Sequence, residues 1–470
     1  MKNLMNNTSK VAAITLAMIA VVGVSAASEK PNVVLILADD LGYGDVGCYG
    51  APDVKTPVMD KLAKDGVRCT DGYAAFPVCS PSRAALLTGR YPARFGPTYE
   101  DYYGGGSPEL DPVEHPTIGQ MMKDVGYRTA CFGKWNVSNL NRRRANDFGF
   151  DSWVGLHLNH DFYTHKLERT GEHDLYKDGK PFDREGVWSD TIFADEAIRF
   201  IKAESDKPFF IYLPFQAPHS PFQDPNVPLD PPGKKERKTL IKMIERLDLE
   251  IGRVLTALDD QKLAEKTLVI LTSDNGGAQG IARNLPLSGA KQMLQEGGIR
   301  VPLILRWPGV LPKGKVFSVP ITAIDLTATV AAAGNAKPRS DTPFDGVDLL
   351  PALTGKAELE MDRLLFFRRR KVTVWKNQNL IRQSAVRQGE WKYLRTYNMR
   401  DNTKFTAALY NLKQDIAEEK NIAASNPEKT KALSDLLEQW ESEMSKTAAP
   451  FPTDSPSTRQ PKGKRERERK

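Results

Sequence analysis

Cysteine is scarce. Four residues in 470, with no Cys-x-x-Cys pair and no zinc-type His/Cys spacing, exclude a disulfide-built scaffold and a structural zinc module. Histidine is sparse too, six in all, and four of these fall between residues 157 and 173. An excess of one charge is lacking over most of the chain. The net charge is +7, but residues 1–26 carry two lysines and no acid, and residues 452–470 carry seven bases against three acids. The body is therefore within one charge of neutral, which gives no reason to expect nucleic-acid binding. Long apolar runs are missing after residue 24, which excludes a polytopic membrane protein. What is there, 40% hydrophobic and 27% charged residues, is a globular composition long enough to bury a large core.

The two ends stand apart. Lys2 and Lys10 precede an uncharged apolar stretch, Val11 to Val24, which closes on Val24-Ser25-Ala26. That is the order of a secretory signal, and the stretch is short of the ~20 residues that span a bilayer. Residues 1–26 are expected to be a signal peptide, leaving a periplasmic or extracellular protein with no membrane span. Export permits one disulfide among Cys48, Cys69 and Cys131, with the pairing left open. Residues 450–470 are rich in Pro and Ser and then in Lys, Arg and Glu, and read as a disordered basic tail.

Between the ends, strands and helices alternate. Asn32 to Ala38 is a continuous apolar run ending at Asp39-Asp40. Pro208 to Leu213 and Thr267 to Thr272 are similar runs, the second ending at Ser273-Asp274-Asn275. Tyr127 to Phe132 precedes Gly133-Lys134. Helical periodicity marks Thr56 to Gly66, Ile192 to Ala203 and Arg237 to Leu258. Strands buried on both faces and separated by helices predict an α/β fold, a mostly parallel central sheet with helices on both faces. Ligands bind beyond the carboxyl ends of such strands, so Asp39, Asp40 and Asp274 are expected in one crevice. From about residue 360 the pattern changes. Ser384 to Leu394 and Leu409-Tyr410 read as short strands and Glu428 to Met444 as a helix, giving a smaller carboxyl-terminal α+β subdomain. The expected division is 27–360 and 361–449.

The chemistry concentrates at Cys79-Ser80-Pro81-Ser82-Arg83, followed by Leu86-Leu87-Thr88-Gly89-Arg90. Ser80 suits a helix N-cap, Pro81 a first helical position and Gly89 a stop. Cys79 then lies just before a helix amino end, where backbone N–H groups favour an anion. Arg83 in the first turn opposes the helix dipole, which points to an anion or a modified Cys79 for it to face. A lone Cys of this kind is more often a small buried packing residue.

The surrounding motifs change that weighting. Cys-x-Pro-x-Arg followed by Leu-Leu-Thr-Gly-Arg resembles the signature of type I sulfatases, the formylglycine-dependent branch of the alkaline phosphatase-like superfamily. Asp39-Asp40-Leu41-Gly42-Tyr43-Gly44-Asp45, Gly133-Lys134-Trp135, Pro218-His219-Ser220-Pro221, Ser273-Asp274-Asn275-Gly276, Lys291 with Glu296-Gly297-Gly298-Ile299-Arg300, and Leu409-Tyr410-Asn411-Leu412 resemble further motifs of that family in order. The resemblance implies that a separate maturation enzyme oxidises Cys79 to formylglycine. One hydroxyl of the hydrated aldehyde attacks the sulfur of a sulfate ester, and the other lets sulfate leave as the aldehyde reforms. It also implies a divalent cation, Ca²⁺ or Mg²⁺, held by Asp39, Asp40, the modified Cys79, Asp274 and Asn275, all oxygen donors. Lys134 and Lys291 would bind sulfate oxygens, His219 would hydrogen-bond sulfate or protonate the leaving oxygen, and Arg83 would hold the nucleophile and the metal loop.

One position departs from the family pattern. Gly-Lys-Trp is followed there by His, and here by Asn136. An amide donates and accepts hydrogen bonds but takes no proton near neutral pH. Another group does that work, or turnover is slow, or the chain is a degraded relative. The stretch from Asp147 to His165 resembles the sugar-contacting loop of members that act on galactose- or N-acetylgalactosamine-type sulfates, which makes His160 the candidate substrate contact. A sulfated polysaccharide is the implied substrate. Two readings stand beside it: a phosphatase, phosphodiesterase or phosphonate hydrolase of the same superfamily, which would need more metal ligands, and a non-catalytic polyanion-binding relative.

Overall fold

Val33, Leu35 and Leu37 point into one hydrophobic core, and Val34, Ile36 and Ala38 into another, so the strand Asn32–Ala38 is buried on both faces. This is why it reads as a continuous apolar run rather than an alternating one. The computed structural model describes residues 30–100, 110–138, 143–374, 379–398 and 401–447. The expected signal peptide and basic tail lie outside the described residues.

Asn32–Ala38 sits near the middle of a ten-stranded sheet. Across it run Lys315–Phe317, Val67–Cys69, Leu303–Arg306, Thr267–Ser273, Asn32–Ala38, Phe209–Pro214, Arg128–Lys134, Ser152–Leu156, Tyr176–Lys177 and Lys180–Pro181. The five strands from Thr267–Ser273 to Ser152–Leu156 are parallel, and Leu303–Arg306 runs against its neighbours. Helices Cys79–Thr88, Ile118–Asp124 and Ala323–Ala333 cover one face, and Pro57–Lys64, Ser189–Lys202 and Arg237–Asp260 the other. The fold is the α/β sandwich that the sequence predicts.

Three expectations need correction. Helix Cys79–Thr88 starts two residues earlier than Ser80 as N-cap suggests, with Val78 as its N-cap and Pro81 inside the first turn. Cys79 is thus the first helical residue, and Gly89 closes the helix in the left-handed conformation. The disulfide does not form, since all four cysteines are free. Cys69 and Cys131 lie on strands five places apart in the sheet. At about 4.8 Å per strand that is about 24 Å, far beyond disulfide reach. Finally, the short strand read as Ser384 to Leu394 is two long strands, Asn379–Gln388 and Trp391–Asn398, folded back at Gly389 in a left-handed turn.

Those strands belong to a four-stranded antiparallel sheet with Leu364–Val374 and Asp401–Asn411. Helix Pro427–Thr447 packs on it through Leu433, Leu437, Trp440 and Met444, spaced at the helical period. Trp440 stacks on Phe366 and meets Tyr91 edge-on, so this layer shares a core with the main sheet.

Candidate active site

The parallel strands end on one edge, and the polar residues that follow them meet there. Asp39 and Asp40 follow Asn32–Ala38, and Asp274 and Asn275 follow the neighbouring strand Thr267–Ser273. The two turns are stitched together. Asp274 N–H donates to Ala38 O (3.2 Å), Asp40 N–H to Asp274 Oδ1 (3.2 Å) and Leu41 N–H to Ser273 Oγ (3.0 Å). Asp40 takes a left-handed backbone, φ 68°, a strain that such surrounding bonds hold in place. Gly276 must be glycine, since a Cβ there would lie 1.9 Å from Gly297 O. On the next strands, Lys134 ends Arg128–Lys134, and His219 lies on the loop after Phe209–Pro214.

Cys79 brings its thiol to this edge from the amino end of its helix. Its Sγ lies 3.3 Å from Asp39 Oδ1, 3.9 Å from Asp40 Oδ1 and 3.3 Å from Lys291 Nζ. Lys134 Nζ is 2.5 Å from Asp39 Oδ2, and Lys291 Nζ is 2.7 Å from Asp40 Oδ1. Arg83 is fully buried. Its Nε donates to Asp274 Oδ2 at 2.9 Å and a terminal N–H to Lys134 O at 2.9 Å. This resolves the apparent conflict with the helix dipole, because the guanidinium faces a carboxylate and not the helix end. His219 Nε2 is 3.6 Å from Asp40 Oδ2, and the Asn159 amide lies 2.8 Å from its Nδ1.

The electrostatics follow from burial. Burial alone would raise the Asp39 carboxyl, but Lys134, then His219, Arg83 and Lys291, hold it well below the usual range. Burial and the Asp39 charge push Asp274 the other way, up to about 6. Burial and Asp39 also raise the Cys79 thiol, so an unmodified Cys79 is no thiolate nucleophile. His219 is pushed down to about 4 by burial and by Lys291, so its ring is neutral at pH 7.

The donor set fits a hard cation. Oxygens of Asp39 and Asp40, the Cys79 sulfur and a ring nitrogen of His219 lie within 4.8 Å of one another. The side-chain oxygen of Asn275 is buried and accepts no hydrogen bond, while its Nδ2 donates to Asp40 Oδ1 (2.7 Å). A buried oxygen with no donor beside carboxylates asks for a cation, and oxygen ligands suit Ca²⁺ or Mg²⁺. An oxygen-bearing aldehyde hydrate at position 79 would complete that set better than sulfur.

His160 is a correction. It is fully buried, with one ring nitrogen 3.0 Å from Asp174 O and the other 2.9 Å from Ser189 Oγ. Both nitrogens are spent inside the protein, so it offers nothing to a substrate. Its carbonyl instead accepts from Gln216 Nε2. Asn136 is buried with φ 53°, a backbone that asparagine tolerates better than most residues.

Two neighbours were missed by sequence reasoning. Asn159 touches His219. Asp190, buried, accepts the backbone N–H groups of Gln216 (2.9 Å) and Ala217 (3.1 Å) and so fixes the loop leading to His219, while Ala217 O accepts from Asp39 N–H. In sequence Asp190 looks like any acid in a first helical turn, and only the fold reveals its second task.

Comparison with known proteins identifies the family. Residues 31–336 match the family described as Sulfatase, and residues 290–446 match the carboxyl-terminal family of N-sulphoglucosamine sulphohydrolase. The chain belongs to the sulfatase family, and it is a sulfuric ester hydrolase with that family's alkaline phosphatase-like fold. It is 33% identical to N-acetylgalactosamine-6-sulfatase of Canis lupus familiaris, over 74% of this chain and 70% of that one. It is 31% identical to N-acetylgalactosamine-6-O-sulfatase of Bacteroides thetaiotaomicron, over 87% of this chain and 93% of that one. The crystal structure of Ps i-CgsB in complex with k-i-k-neocarrahexaose superposes with a TM-score of 0.75 at 31% identity, covering 88% of this chain and 93% of that one. Phosphonate monoester hydrolase of Agrobacterium radiobacter, 21% identical with a TM-score of 0.64, shares the fold.

Proposed function

We propose that this chain is an exported carbohydrate sulfatase that hydrolyses sulfate esters of a sulfated polysaccharide or glycosaminoglycan-type sugar through formylglycine at position 79. The observation that carries the reading is the meeting of Cys79, Asp39, Asp40, Asn275, Lys134 and Lys291, from five separate segments, around one buried point. A sulfated carbohydrate is favoured because the bacterial relative named for N-acetylgalactosamine-6-O-sulfate chemistry aligns over nearly its whole length, and a neocarrahexaose complex has the same fold.

In this reading a formylglycine-generating or sulfatase-maturating enzyme converts the Cys79 side chain to an aldehyde, which hydrates. One hydroxyl oxygen bonds to sulfur, the bond from sulfur to the sugar oxygen breaks, and the alcohol leaves with a proton. The second hydroxyl then passes its proton to solvent water, the bond from carbon to the sulfate oxygen breaks, and sulfate departs as the aldehyde returns. Ca²⁺ or Mg²⁺ held by Asp39, Asp40, Asp274, Asn275 and residue 79 would polarise a sulfate oxygen and ease loss of the hydroxyl proton. Lys134 and Lys291 offset charge on the sulfate oxygens as it develops. His219, neutral at pH 7, donates a hydrogen bond to the sulfate or the leaving oxygen. Arg83 keeps Asp274 and the Lys134 turn in register. Residues 1–26 would direct the chain out of the cytoplasm. Among the described residues no helix is long and apolar enough to cross a membrane.

The test is a panel of sulfated sugars, with 6-sulfated galactose and N-acetylgalactosamine first, assayed against protein made in a host with a maturation enzyme. Mass spectrometry of the peptide bearing Cys79 should find the aldehyde. Turnover of phosphate esters with no sulfate release would overturn the reading.

A further inference from the structure

Lys134 ends a strand and Arg83 sits on a helix, whereas Lys291 belongs to neither kind of element. It lies on the irregular segment between Ser288 and Glu296, and its successor Gln292 has a left-handed backbone, φ 81°. A non-glycine residue stays in that region only where its surroundings over-determine it. The catalytic layer supplies part of the restraint: Lys291 N–H donates to Gly277 O (3.0 Å) and Gln292 N–H to Pro77 O (2.8 Å).

The rest comes from the carboxyl-terminal sheet and from the loop after it, where Glu418 lies. A terminal N–H of Arg369, on Leu364–Val374, donates to Gln292 O at 2.6 Å. Leu294 N–H donates to Gln383 Oε1 at 3.1 Å. Glu418 Oε2 accepts from both ends of the segment, Ser288 Oγ (2.6 Å) and Glu296 N–H (2.7 Å). Lys392 ties these together. Its Nζ is almost fully buried, 2.8 Å from Glu296 Oε1 and 2.9 Å from Glu418 Oε1. Leu294 and Ile299 pack with Leu365, Phe367, Ala385 and Leu394 of the same sheet.

A buried ammonium between two carboxylates is poor evidence for stability, since well-packed apolar residues often do as well. Its effect is to specify one arrangement, and what it specifies here is the path of the segment that carries Lys291.

We infer that Lys392 is a positioning residue for the sulfatase reaction: the Glu296–Lys392–Glu418 triad sets where Lys291 Nζ stands against residue 79, so the carboxyl-terminal subdomain is part of the catalytic apparatus. The inference rests on the proposed role of Lys291. It extends to a residue that touches neither the metal ligands nor Cys79.

The test is a double-mutant cycle on the full matured chain, assayed with 4-nitrocatechol sulfate. Lys392→Met keeps length and removes charge, and it should lower kcat about 10- to 100-fold with KM less affected. In a Lys291→Ala background the same substitution should cost less than about twofold, because the group it positions is already gone. Lys392→Arg should recover part of the rate. Should Lys392→Met not fold, Glu418→Gln takes its place in the same cycle. Multiplicative losses, or a folded Lys392→Met with unchanged kcat, would overturn this inference alone. An unimpaired Lys291→Ala would instead overturn the role of Lys291, and this inference with it.

Discussion

Lys134 offers the sharpest test of how charge is balanced in the site. Asp39, Asp40 and Asp274 face Lys134, Lys291 and Arg83, three carboxylates against three cations, all buried or nearly so. Lys134→Met preserves length and packing but leaves Asp39 with one close cation fewer. Lys134 and Asp39 are 1% and 0% exposed, so solvent screening does not soften the loss. Breaking a buried pair by removing one partner costs about 3–5 kcal/mol. Unfolding entropy of about 2.1 cal/mol/K per residue gives roughly 1 kcal/mol/K for this chain, so Tm in chelator should fall by about 3–5 °C. Calcium should restore much of that, since a ligand at ~100 times its Kd stabilises by about 2.7 kcal/mol. It should not restore turnover. A donor to the developing sulfate charge is lost, worth about 2.7–4 kcal/mol or 10²- to 10³-fold in kcat. Differential scanning calorimetry in EDTA and in Ca²⁺, beside a sulfate-release assay, reads both quantities. A Tm in EDTA equal to wild type, or a rate loss under tenfold, would refute the reasoning.

Other substitutions probe other parts of the argument. Cys79→Ser should accept sulfate once and stop, because a single hydroxyl cannot expel it, and intact-mass spectrometry should show one added SO₃ group after incubation with substrate. Asp190→Ala leaves the buried N–H groups of Gln216 and Ala217 without an acceptor, at about 1–3 kcal/mol each, and should lower kcat about tenfold while Tm falls by about 2–6 °C. Gly133→Ala places a Cβ 1.9 Å from Pro214 O at φ 132°, and should cost about 3 kcal/mol or more, read as a loss of soluble yield. His115 is pushed down to about 4 by burial and by Arg90, so the unfolded chain binds more protons between pH 4 and 6.5. Its contribution is complete above pH 6.5 and lost as pH falls through 4. The Tm of wild type relative to His115→Gln should therefore drop between pH 7 and 5.

Much of the site is legible in the sequence for a simple reason. Asp39, Asp40, Asp274, Asn275 and Lys134 sit directly at strand ends, so a buried apolar run announces each of them, and parallel strands carry the ends to one edge. Cys79 is announced by its helix start, although the start lies two residues earlier than the Ser80-Pro81 pair suggests. Histidine clustering between 157 and 173 misleads. His160 is buried scaffolding, and the loop contact with His219 is made by its neighbour Asn159. A local pattern reports residue type and spacing, and cannot say which of two adjacent side chains turns inward.

The support around Lys291 is illegible for a different reason. Glu296 and Lys392 are 96 residues apart, and Glu296 and Glu418 are 122 apart, so no periodicity or motif links them. Each reads alone as an ordinary solvated charge, the commonest state of such residues. Only the packing of the carboxyl-terminal sheet against the segment 288–296 turns three surface-like residues into one buried triad. The same asymmetry separates the two lysines. Lys134 is fixed by its strand, where Gly133 admits the close approach of Pro214, whereas Lys291 is fixed by a second layer of the protein. Substitutions in that second layer should therefore act on turnover through Lys291 and leave Lys134 and the carboxylates where they are.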